Sequence, residues 1–288
     1  MEVSVVIINY NTFQLTCQCI ASLIDHTGDI PYEIILVDNA SKECDPQLFT
    51  QKFPGIKLIR SEKNLGFAGG NNLGVLQSKG QYVLLLNSDV IVLNDILTET
   101  ISAMKAYGAS LATCEVFNAD KTRQPTCALF PSVRISLLSF LGIVQLSRKL
   151  GFSPTAYQYD YLKPHKVDWI WGCFFLFDKK LLSSFSDHKL PEDFFMYSED
   201  LLWCYQLHKK GFDAWYLPGG KIIHLFSGNK LNMDPDLNLN FKHYVLFLKR
   251  NYNVFRYSLI FFFDSLTSLT RLKYQYLFKK IKLYLLLK

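Results

Sequence analysis

The chain has 288 residues, a formal net charge of +6 and a hydrophobic fraction of 49%. That fraction supports a large folded core and excludes a disordered chain. Nine Lys and Arg residues but one acidic residue lie from Lys249 onward, so the preceding 248 residues carry a net charge of −2, which argues against a nucleic-acid-binding core. The seven cysteines show no zinc-ligand spacing and no export signal follows Met1, so reduced thiols and a cytoplasmic location are expected.

Strand and helix signals alternate through the first part of the chain. Apolar runs predict strands at 3–8, 33–37, 56–60, 82–86 and 110–117. Helical patterns lie between them, near 12–26, 45–52 and 93–107, and a Gly- and Asn-rich loop at 64–72 leads into a further helix that ends near 79. This alternation predicts an α/β fold: a Rossmann-like nucleotide-binding domain with a mostly parallel central sheet.

The second part of the chain is less regular. The apolar stretch 172–177 predicts another strand, 201–210 a helix, 217–220 a turn and 221–225 a short strand. Residues 118–168 are interpreted as a variable insert on the acceptor side. We expect residues 1–250 to form one domain and residues 251–288 to form a basic, aromatic and helical tail.

The tail mixes Phe, Tyr and Leu with Lys and Arg. Such a segment can lie along an anionic membrane surface, or it can form a terminal helix that packs on the domain with a solvated basic face. The uncharged stretch 135–147 is shorter than the roughly 20 residues of a spanning helix. We favour surface attachment at the inner face of the cell membrane.

Polar residues follow three of the predicted strands. Asn9 and Asn11 follow the first strand, Asp38 the second, and Asn87-Ser88-Asp89 the fourth. Because parallel strands bind ligands at their carboxyl ends, these residues predict one crevice. Asp38 suits a ribose hydroxyl or base N–H, but it is equally suited to an Asx-turn.

The Asp89 carboxylate suits a divalent cation. Mg²⁺ and Mn²⁺ take one or two carboxylates together with substrate phosphates. His224 lies at the end of a short predicted strand and offers a nitrogen ligand, which favours Mn²⁺. A lone His on an apolar strand is, however, more often a satisfied core residue.

The loop from Asn64 to Gly74 follows a strand and leads into a helix. Its glycines, Gly66, Gly69 and Gly70, would let the backbone approach a ligand, and the helix start would offer N–H groups to phosphate. The spacing is not GxGxxG, so a dinucleotide-binding site is disfavoured. A tight turn is the simpler alternative.

Two further patterns suit chemistry. Glu199-Asp200 begins a helix after an aromatic run, so these carboxylates either complement the helix dipole or include a general base in a partly desolvated setting. Trp171-Gly172 belongs either to the core or to an aromatic wall against a sugar ring.

Together these motifs resemble the inverting glycosyltransferases of family 2, most closely the bacterial rhamnosyltransferase-type members. The resemblance rests on VSVVIINYN, VDNAS, NLGFAGGNNLG, LLLNSDV, WGC, FFMYSEDLLWC and HLFSGN, in that order within residues 3–230. It implies a single GT-A domain and Mn²⁺ or Mg²⁺ as cofactor. It also implies a nucleoside-diphosphate sugar donor, dTDP-rhamnose or a UDP-sugar, and a glycan or lipid-linked acceptor in surface polysaccharide synthesis.

The resemblance also implies roles for individual residues. Asp200 matches the catalytic base of the Glu199-Asp200 pair, Asp89 the metal-binding aspartate, and His224 a later His near the metal or diphosphate. The expected nucleotide-side residues are Asn9, Asn11, Asp38, Asn64, Gly66, Gly70, Asn71, Asn87, Ser88, Trp171 and Gly172. Two positions depart from the family pattern: Asn87 replaces the first Asp of Asp-x-Asp, and Leu202 stands where relatives often carry a further Asp.

Two alternatives stay open from the sequence. The chain could be a nucleotide-sugar-binding protein without transferase activity, or a Rossmann-type oxidoreductase, which the absence of GxGxxG disfavours. A processive synthase is also disfavoured, since the sequence shows no spanning segment and no Gln-x-x-Arg-Trp motif.

Overall fold

The computed structural model describes residues 1–28, 30–149, 161–225 and 237–270. The chain divides into two compact units: Met1–Ala128 with Tyr161–Lys230, and Leu129–Asp160 with Leu231–Lys288. The second unit thus combines part of the predicted insert with the predicted tail. The functional division at residue 250 stays a prediction.

The helices and strands follow the predicted order through the first 117 residues. They are β1 (Val3–Asn9), α1 (Phe13–His26), β2 (Tyr32–Asp38), α2 (Gln47–Lys52), β3 (Lys57–Arg60), α3 (Gly66–Leu76), β4 (Tyr82–Asn87), β5 (Val90–Val92), α4 (Ile96–Tyr107) and β6 (Leu111–Phe117). The later elements are β7 (Cys127–Ala128), α5 (Val133–Phe140), α6 (Ile143–Lys149), β8 (His165–Val167), β9 (Trp169–Ile170), β10 (Phe174–Asp178), α7 (Glu199–His208), β11 (Ala214–His224), α8 (Leu237–Asn251) and α9 (Val254–Thr270). Two 3₁₀ turns, Lys179–Ser184 and Ser186–His188, separate β10 from α7.

The first unit is built on one mixed sheet in the order β3-β2-β1-β4-β10-β6-β11-β5, with β8 beside β11. Strands β3, β2, β1 and β4 run parallel to one another, as predicted. Strand β10 runs antiparallel to both β4 and β6, and β5 runs antiparallel to β11. The α/β fold class is confirmed, with a parallel half that carries the predicted crevice.

The central strands are apolar because helices or loops cover both of their faces. Val5, Ile7, Leu84 and Phe174 are all at or near zero exposure. The burial of these strands leaves their polar end residues fixed at the edge of the sheet.

The region around Pro218 differs from the prediction of a turn followed by a short strand. Strand β11 continues through it, and its pairing with β6 shifts register between Tyr216 and Lys221. Gly219, at a φ of 132°, accommodates this irregularity. Glycine and proline inside a strand are typical of such a bulge, which resembles a turn in the sequence pattern.

The second unit consists of α5, α6, α8 and α9. Helix α5 packs along α9, where the rings of Phe140 and Phe263 lie 6.2 Å apart. The Tyr252 hydroxyl donates to the Pro131 carbonyl at 2.9 Å. The described part of the predicted tail is therefore a packed helix, and residues 271–288 lie outside the described residues. In the described ranges no helix is long and apolar enough to cross a membrane.

Candidate functional site

The polar ends of three parallel strands lie at one edge of the sheet. Asn9 pairs with Asp38 across β1 and β2, and Ile8 pairs with Asn87 across β1 and β4. Strand β10 begins at the same edge because it is antiparallel, so Phe174 pairs with Leu86. The polar strand ends that the sequence predicts to meet are therefore adjacent, and a ligand crevice at this edge stays a prediction.

Asn9 braces this edge with its side-chain amide. Its Nδ2 atom donates to Asp38 Oδ1 and to Ser41 Oγ, both at 2.9 Å. Its Oδ1 atom accepts from the hydroxyls of Thr12 at 3.1 Å and Thr16 at 3.0 Å. These protein groups form hydrogen bonds with both polar atoms of the buried Asn9 amide, so Asn9 orients Asp38. A direct contact between Asn9 and a ligand stays a prediction.

Asp38 is buried and also closes the predicted Asx-turn. Its Oδ2 atom accepts from the Ser41 N–H at 3.2 Å. Asn11 and Ala40, which follow β1 and β2, have positive φ angles of 54° and 66°. Such backbone is uncommon for non-glycine residues and clusters at functional sites. The Asn11 side chain accepts from the Lys42 N–H at 2.8 Å, so the two loops hold each other.

Other atoms of the protein lie against the glycine loop, residues 64–72, at the positions where a ligand contact was predicted. A Cβ atom on Gly66 would collide with the carbonyl oxygen of Phe195, and one on Gly70 would lie 3.0 Å from the Ile8 side chain. The N–H of Gly66 donates to Asn64 Oδ1, and the N–H of Phe67 donates to Phe195 O, both at 2.9 Å. These two N–H groups therefore already have protein acceptors, and phosphate binding by the loop stays a prediction.

Two asparagines of this region act inside the fold. Asn71 donates from Nδ2 to the Phe67 carbonyl at 3.0 Å. Asn39, which the sequence analysis did not single out, donates to Asn64 Oδ1 at 3.0 Å and accepts from the Leu65 N–H at 2.9 Å. Its place in the VDNAS run was the available signal. The glycine loop is thus fixed from the end of β2.

Asp89 and His224 come together as predicted. Asp89 Oδ1 lies 3.2 Å from His224 Nε2, and both side chains are largely buried. Val90 pairs with His224 across β5 and β11, which explains the approach. Asn87 Nδ2 lies 3.2 Å from the same Nε2 atom, and Ser88 Oγ lies 3.2 Å from Thr12 Oγ1.

Gln124 is a residue of this site that the sequence analysis missed. Its Oε1 atom lies 3.0 Å from His224 Nδ1 in a buried contact. A turn at residues 118–122 brings Gln124 back beside β6, where its N–H donates to the Val116 carbonyl at 2.8 Å. Because an amide oxygen only accepts, Nδ1 of His224 donates in this contact, and Nε2 is the nitrogen that faces Asp89.

This donor set fits a divalent cation. One carboxylate oxygen and one imidazole nitrogen face each other, and the outer nitrogen of His224 is hydrogen-bonded, as is usual for metal-binding histidines. Across the described part of the chain, no cluster of three or more His, Cys, Asp or Glu residues could hold a metal ion. A cation here would therefore need further oxygen ligands from substrate phosphates or water.

Glu199 and Asp200 differ in environment although they are adjacent. Burial first, and then the charge of Asp200, raise the pKa of Glu199 to about 8. Burial raises the pKa of Asp200 to about 6, against backbone hydrogen bonds that favour its charged form. Those donors are the N–H groups of Leu201 at 2.7 Å and Gly172 at 3.0 Å. Glu199 Oε2 meets no hydrogen-bond partner among the described residues.

Burial thus raises the pKa of both carboxyls, while the N–H groups of Leu201 and Gly172 favour the charged form of Asp200. The turn that presents the pair is strained, since Tyr197 and Ser198 have φ angles of 71° and 70°. Burial and the charges of Asp89 and Asp200 also raise the pKa of the Cys173 thiol to about 12. One buried thiol therefore lies within electrostatic reach of both carboxylates.

Gly172 and Trp171 flank this pair on the strand side. A Cβ atom on Gly172 would lie 2.8 Å from the Phe67 ring, and that ring stacks on Trp203 at 6.1 Å. Trp171 packs on the core of the first unit, and its buried Nε1 atom has no hydrogen-bond partner within the described ranges. Gly172 thus lets its own N–H reach Asp200, and Trp171 has an indole N–H left to donate.

Comparison with known proteins identifies the family. Residues 4–185, well over half of the chain, match glycosyl transferase family 2. Rhamnosyltransferase WbbL of Escherichia coli (strain K12) is 27% identical over 215 residues, which cover 69% of this chain and 75% of that protein. The N-acetylglucosaminyl-diphospho-decaprenol L-rhamnosyltransferase of Mycobacterium tuberculosis (strain CDC 1551 / Oshkosh) is 25% identical over 232 residues, which cover 74% of this chain and 72% of that protein. For other curated relatives, the match spans about a third of their length.

A solved structure supports the fold. The crystal structure of GalNAc-T7 with UDP, GalNAc and Mn²⁺ aligns with 86% of this chain and 48% of that chain, at a TM-score of 0.62 and 16% identity. The polar sheet edge, the family match and the similar fold all point to the same family. The family match rules out the oxidoreductase alternative. The chain belongs to glycosyl transferase family 2, has the GT-A fold and resembles rhamnosyltransferases.

Proposed function

We propose that the protein is an inverting glycosyltransferase that moves a sugar from a nucleoside diphosphate to a hydroxyl of a glycan or lipid-linked acceptor. The proposed donor is dTDP-rhamnose or a UDP-sugar, and the proposed pathway is bacterial surface polysaccharide synthesis. Two relatives that match about 70% of the chain are named as rhamnosyltransferases. The mycobacterial relative is named for an acceptor that joins a sugar to a lipid through diphosphate, which supports an acceptor of that class.

The observation that carries this proposal is the environment of Asp200. Two backbone N–H groups orient the carboxylate, and partial desolvation raises its pKa to about 6. A base that is ionised at neutral pH, but more basic than an ordinary Asp, is suited to accept a proton from a hydroxyl. The neutral carboxyl of Glu199 beside it removes a competing negative charge.

The proposed reaction is a single displacement. Asp200 accepts the proton of the acceptor hydroxyl while that oxygen bonds to the anomeric carbon of the donor sugar. The bond from the anomeric carbon to the diphosphate oxygen breaks, and the nucleoside diphosphate leaves with its electron pair. Attack from the side opposite to the leaving group inverts the configuration, so no nucleophile from the protein is needed.

We propose Asp89 and His224 as the residues that hold Mn²⁺ or Mg²⁺. A bound cation would supply positive charge beside the departing diphosphate. Asn87 and Gln124 orient His224, and Asp38 is proposed for the ribose or base. Trp171 is proposed to donate its indole N–H to the sugar or diphosphate.

The decisive variant is Asp200→Asn, which keeps the shape of the side chain and removes its basicity. We expect transfer to fall by about 10²–10⁴-fold while Mn²⁺-dependent binding of the nucleoside diphosphate persists. Glu199→Gln is the matched control, because it changes the adjacent carboxyl in the same way and should retain most of the activity.

Two results would contradict the assignment. If Glu199→Gln is inactive and Asp200→Asn is active, the base is Glu199. If wild-type protein binds UDP or dTDP sugars but neither hydrolyses nor transfers them to any lipid-linked or glycan acceptor, the protein is a nucleotide-sugar-binding protein. Thermal shifts with UDP, dTDP and GDP identify the base of the donor, since a ligand at a hundredfold excess over Kd stabilises by roughly 2.7 kcal/mol.

A further inference from the structure

The positive charge of the protein is concentrated in the second unit. That unit, residues 129–160 and 231–288, contains 13 Lys and Arg residues and four Asp and Glu residues, a net charge of +9. The first unit contains 18 basic and 21 acidic residues, a net charge of −3. An anionic surface would therefore attract the second unit and repel the first.

Helix α9 presents an apolar face outward. Phe255, Phe262 and Leu269 recur at seven-residue spacing, which places them on one side of the helix. Phe255 is 74% exposed and Phe262 is 54% exposed. Leu259 and Leu266 lie between them on the same side at helical spacing and are partly buried. A solvated helix in a soluble protein normally carries polar residues on its outer side.

The polar and buried residues of α9 lie on the opposite side. Ile260 and Ser268 are buried there. Asp264 is the only acidic residue of α9, and it lies on this inner side, where Tyr244 of α8 donates to its carboxylate at 3.4 Å. The outer side of α9 therefore carries no negative charge. Arg256 belongs to the same helix, and in the sequence a basic segment follows the helix from Arg271 onward.

The junction between α5 and α6 adds exposed apolar side chains to the same unit. Leu141 and Leu146 are each more than half exposed. Arg134 and Lys149 lie in these two helices, and neither helix contains an acidic residue. The combination of exposed Phe and Leu with basic residues thus extends beyond α9.

We propose that the outer face of α9, with the α5–α6 junction, docks the protein on an anionic lipid bilayer. The basic residues are attracted to lipid phosphates, and the Phe and Leu side chains enter the interface between headgroups and acyl chains. This surface combines the described part of the predicted tail, α9, with the α5–α6 junction, and α5 packs along α9. The proposal does not depend on the chemistry proposed for the first unit.

Vesicle binding tests the proposal on the full-length protein. Wild-type protein should co-sediment with vesicles of phosphatidylcholine and phosphatidylglycerol at low salt, and less so at high salt or with phosphatidylcholine alone. Phe255→Ser with Phe262→Ser should weaken this binding by about tenfold or more. Leu76→Ser is the matched control, because Leu76 is a 65% exposed apolar residue of the first unit, and it should bind as wild type does.

Misfolding and self-association are two other ways in which the double variant could lose binding. Its thermal midpoint and its affinity for nucleoside diphosphate should equal those of wild type, and Phe255→Ser alone provides a second test if the double variant is less stable. Wild-type binding by the double variant would overturn the proposal. A second result would also overturn it: wild type fails to bind vesicles and is a dimer by light scattering, while the double variant is a monomer. The outer face of α9 would then be a contact between copies of the chain.

Discussion

The protonated state of Glu199 can be tested through the pH dependence of stability. Burial raises the pKa of this carboxyl from an ordinary value of 4.5 to about 8. The folded state therefore holds a proton that the unfolded chain releases above about pH 4.5. The stability that this proton contributes is present below pH 4.5 and is lost as the pH rises through about 8. Glu199→Gln removes the titration and keeps the neutral shape.

The effect of Glu199 on stability is easiest to isolate in the pH range in which Asp200 does not titrate. Asp200 has a pKa of about 6, so above pH 6.5 it is largely ionised in both folded and unfolded states. Between pH 6.5 and 8 wild type should lose about 1–2 kcal/mol of stability from Glu199, with a slope that flattens near the folded pKa. Glu199→Gln should not show this loss, and its stability should therefore gain on wild type as the pH rises.

Urea unfolding of both proteins at several pH values measures the difference directly. Contributions from His residues and other groups are common to both proteins and cancel in the comparison. Asp200→Asn is the control: Glu199 should keep part of its dependence, because burial is its first cause and the charge of Asp200 the second. Parallel curves for wild type and Glu199→Gln between pH 6.5 and 8 would show that Glu199 is ionised and would remove the reason for preferring Asp200 as the base.

Three other changes test the geometry of the site. Asp89→Ala should abolish Mn²⁺-dependent binding of UDP or dTDP, measured by calorimetry; unchanged metal-dependent binding would refute the assignment. Gln124→Leu should weaken Mn²⁺ binding by about 10–100-fold and shift the tautomer of His224 by ¹⁵N NMR, since His224 loses its outer partner; an unchanged tautomer would refute the orienting role. Gly172→Ala should lower stability by about 1–3 kcal/mol and reduce transfer, because its Cβ crowds the Phe67 ring and displaces the donor to Asp200. Gly55→Ala, where nothing lies within 4 Å, is its control, and an equal effect of both would argue against the crowding.

The sequence was sufficient for the parallel half of the fold and for the place of the site. Buried strands that end in Asn9, Asp38 and Asn87 are local patterns, and the rule for parallel strands brings their ends together without knowledge of any contact. The reversal of β10 was not predictable in this way. Its apolar run is equally compatible with both directions, and the direction depends on an insert whose elements are short.

The glycine loop shows what residue type alone cannot identify. Gly66 has a positive φ and no Cβ, as a ligand-binding turn would require, but the group that approaches it is the backbone at Phe195, about 130 residues later in the chain. A glycine in the sequence indicates that another group approaches the backbone closely, but it does not identify that group. The sequence around Gln124 does not indicate a site residue for a similar reason: only the turn at residues 118–122 brings Gln124 next to His224.

The two carboxylates of Glu199-Asp200 show which information only the folded structure supplies. In sequence they are interchangeable at the start of a helix, and the macrodipole favours both. In the fold, the N–H of Gly172 reaches Asp200 because Phe67 leaves no room for a side chain at position 172. Glu199 Oε2 has no hydrogen-bond partner among the described residues, and burial raises the pKa of this carboxyl. The base that we propose therefore depends on packing between Phe67 of the glycine loop and Gly172, which links two motifs that the sequence had placed in separate roles.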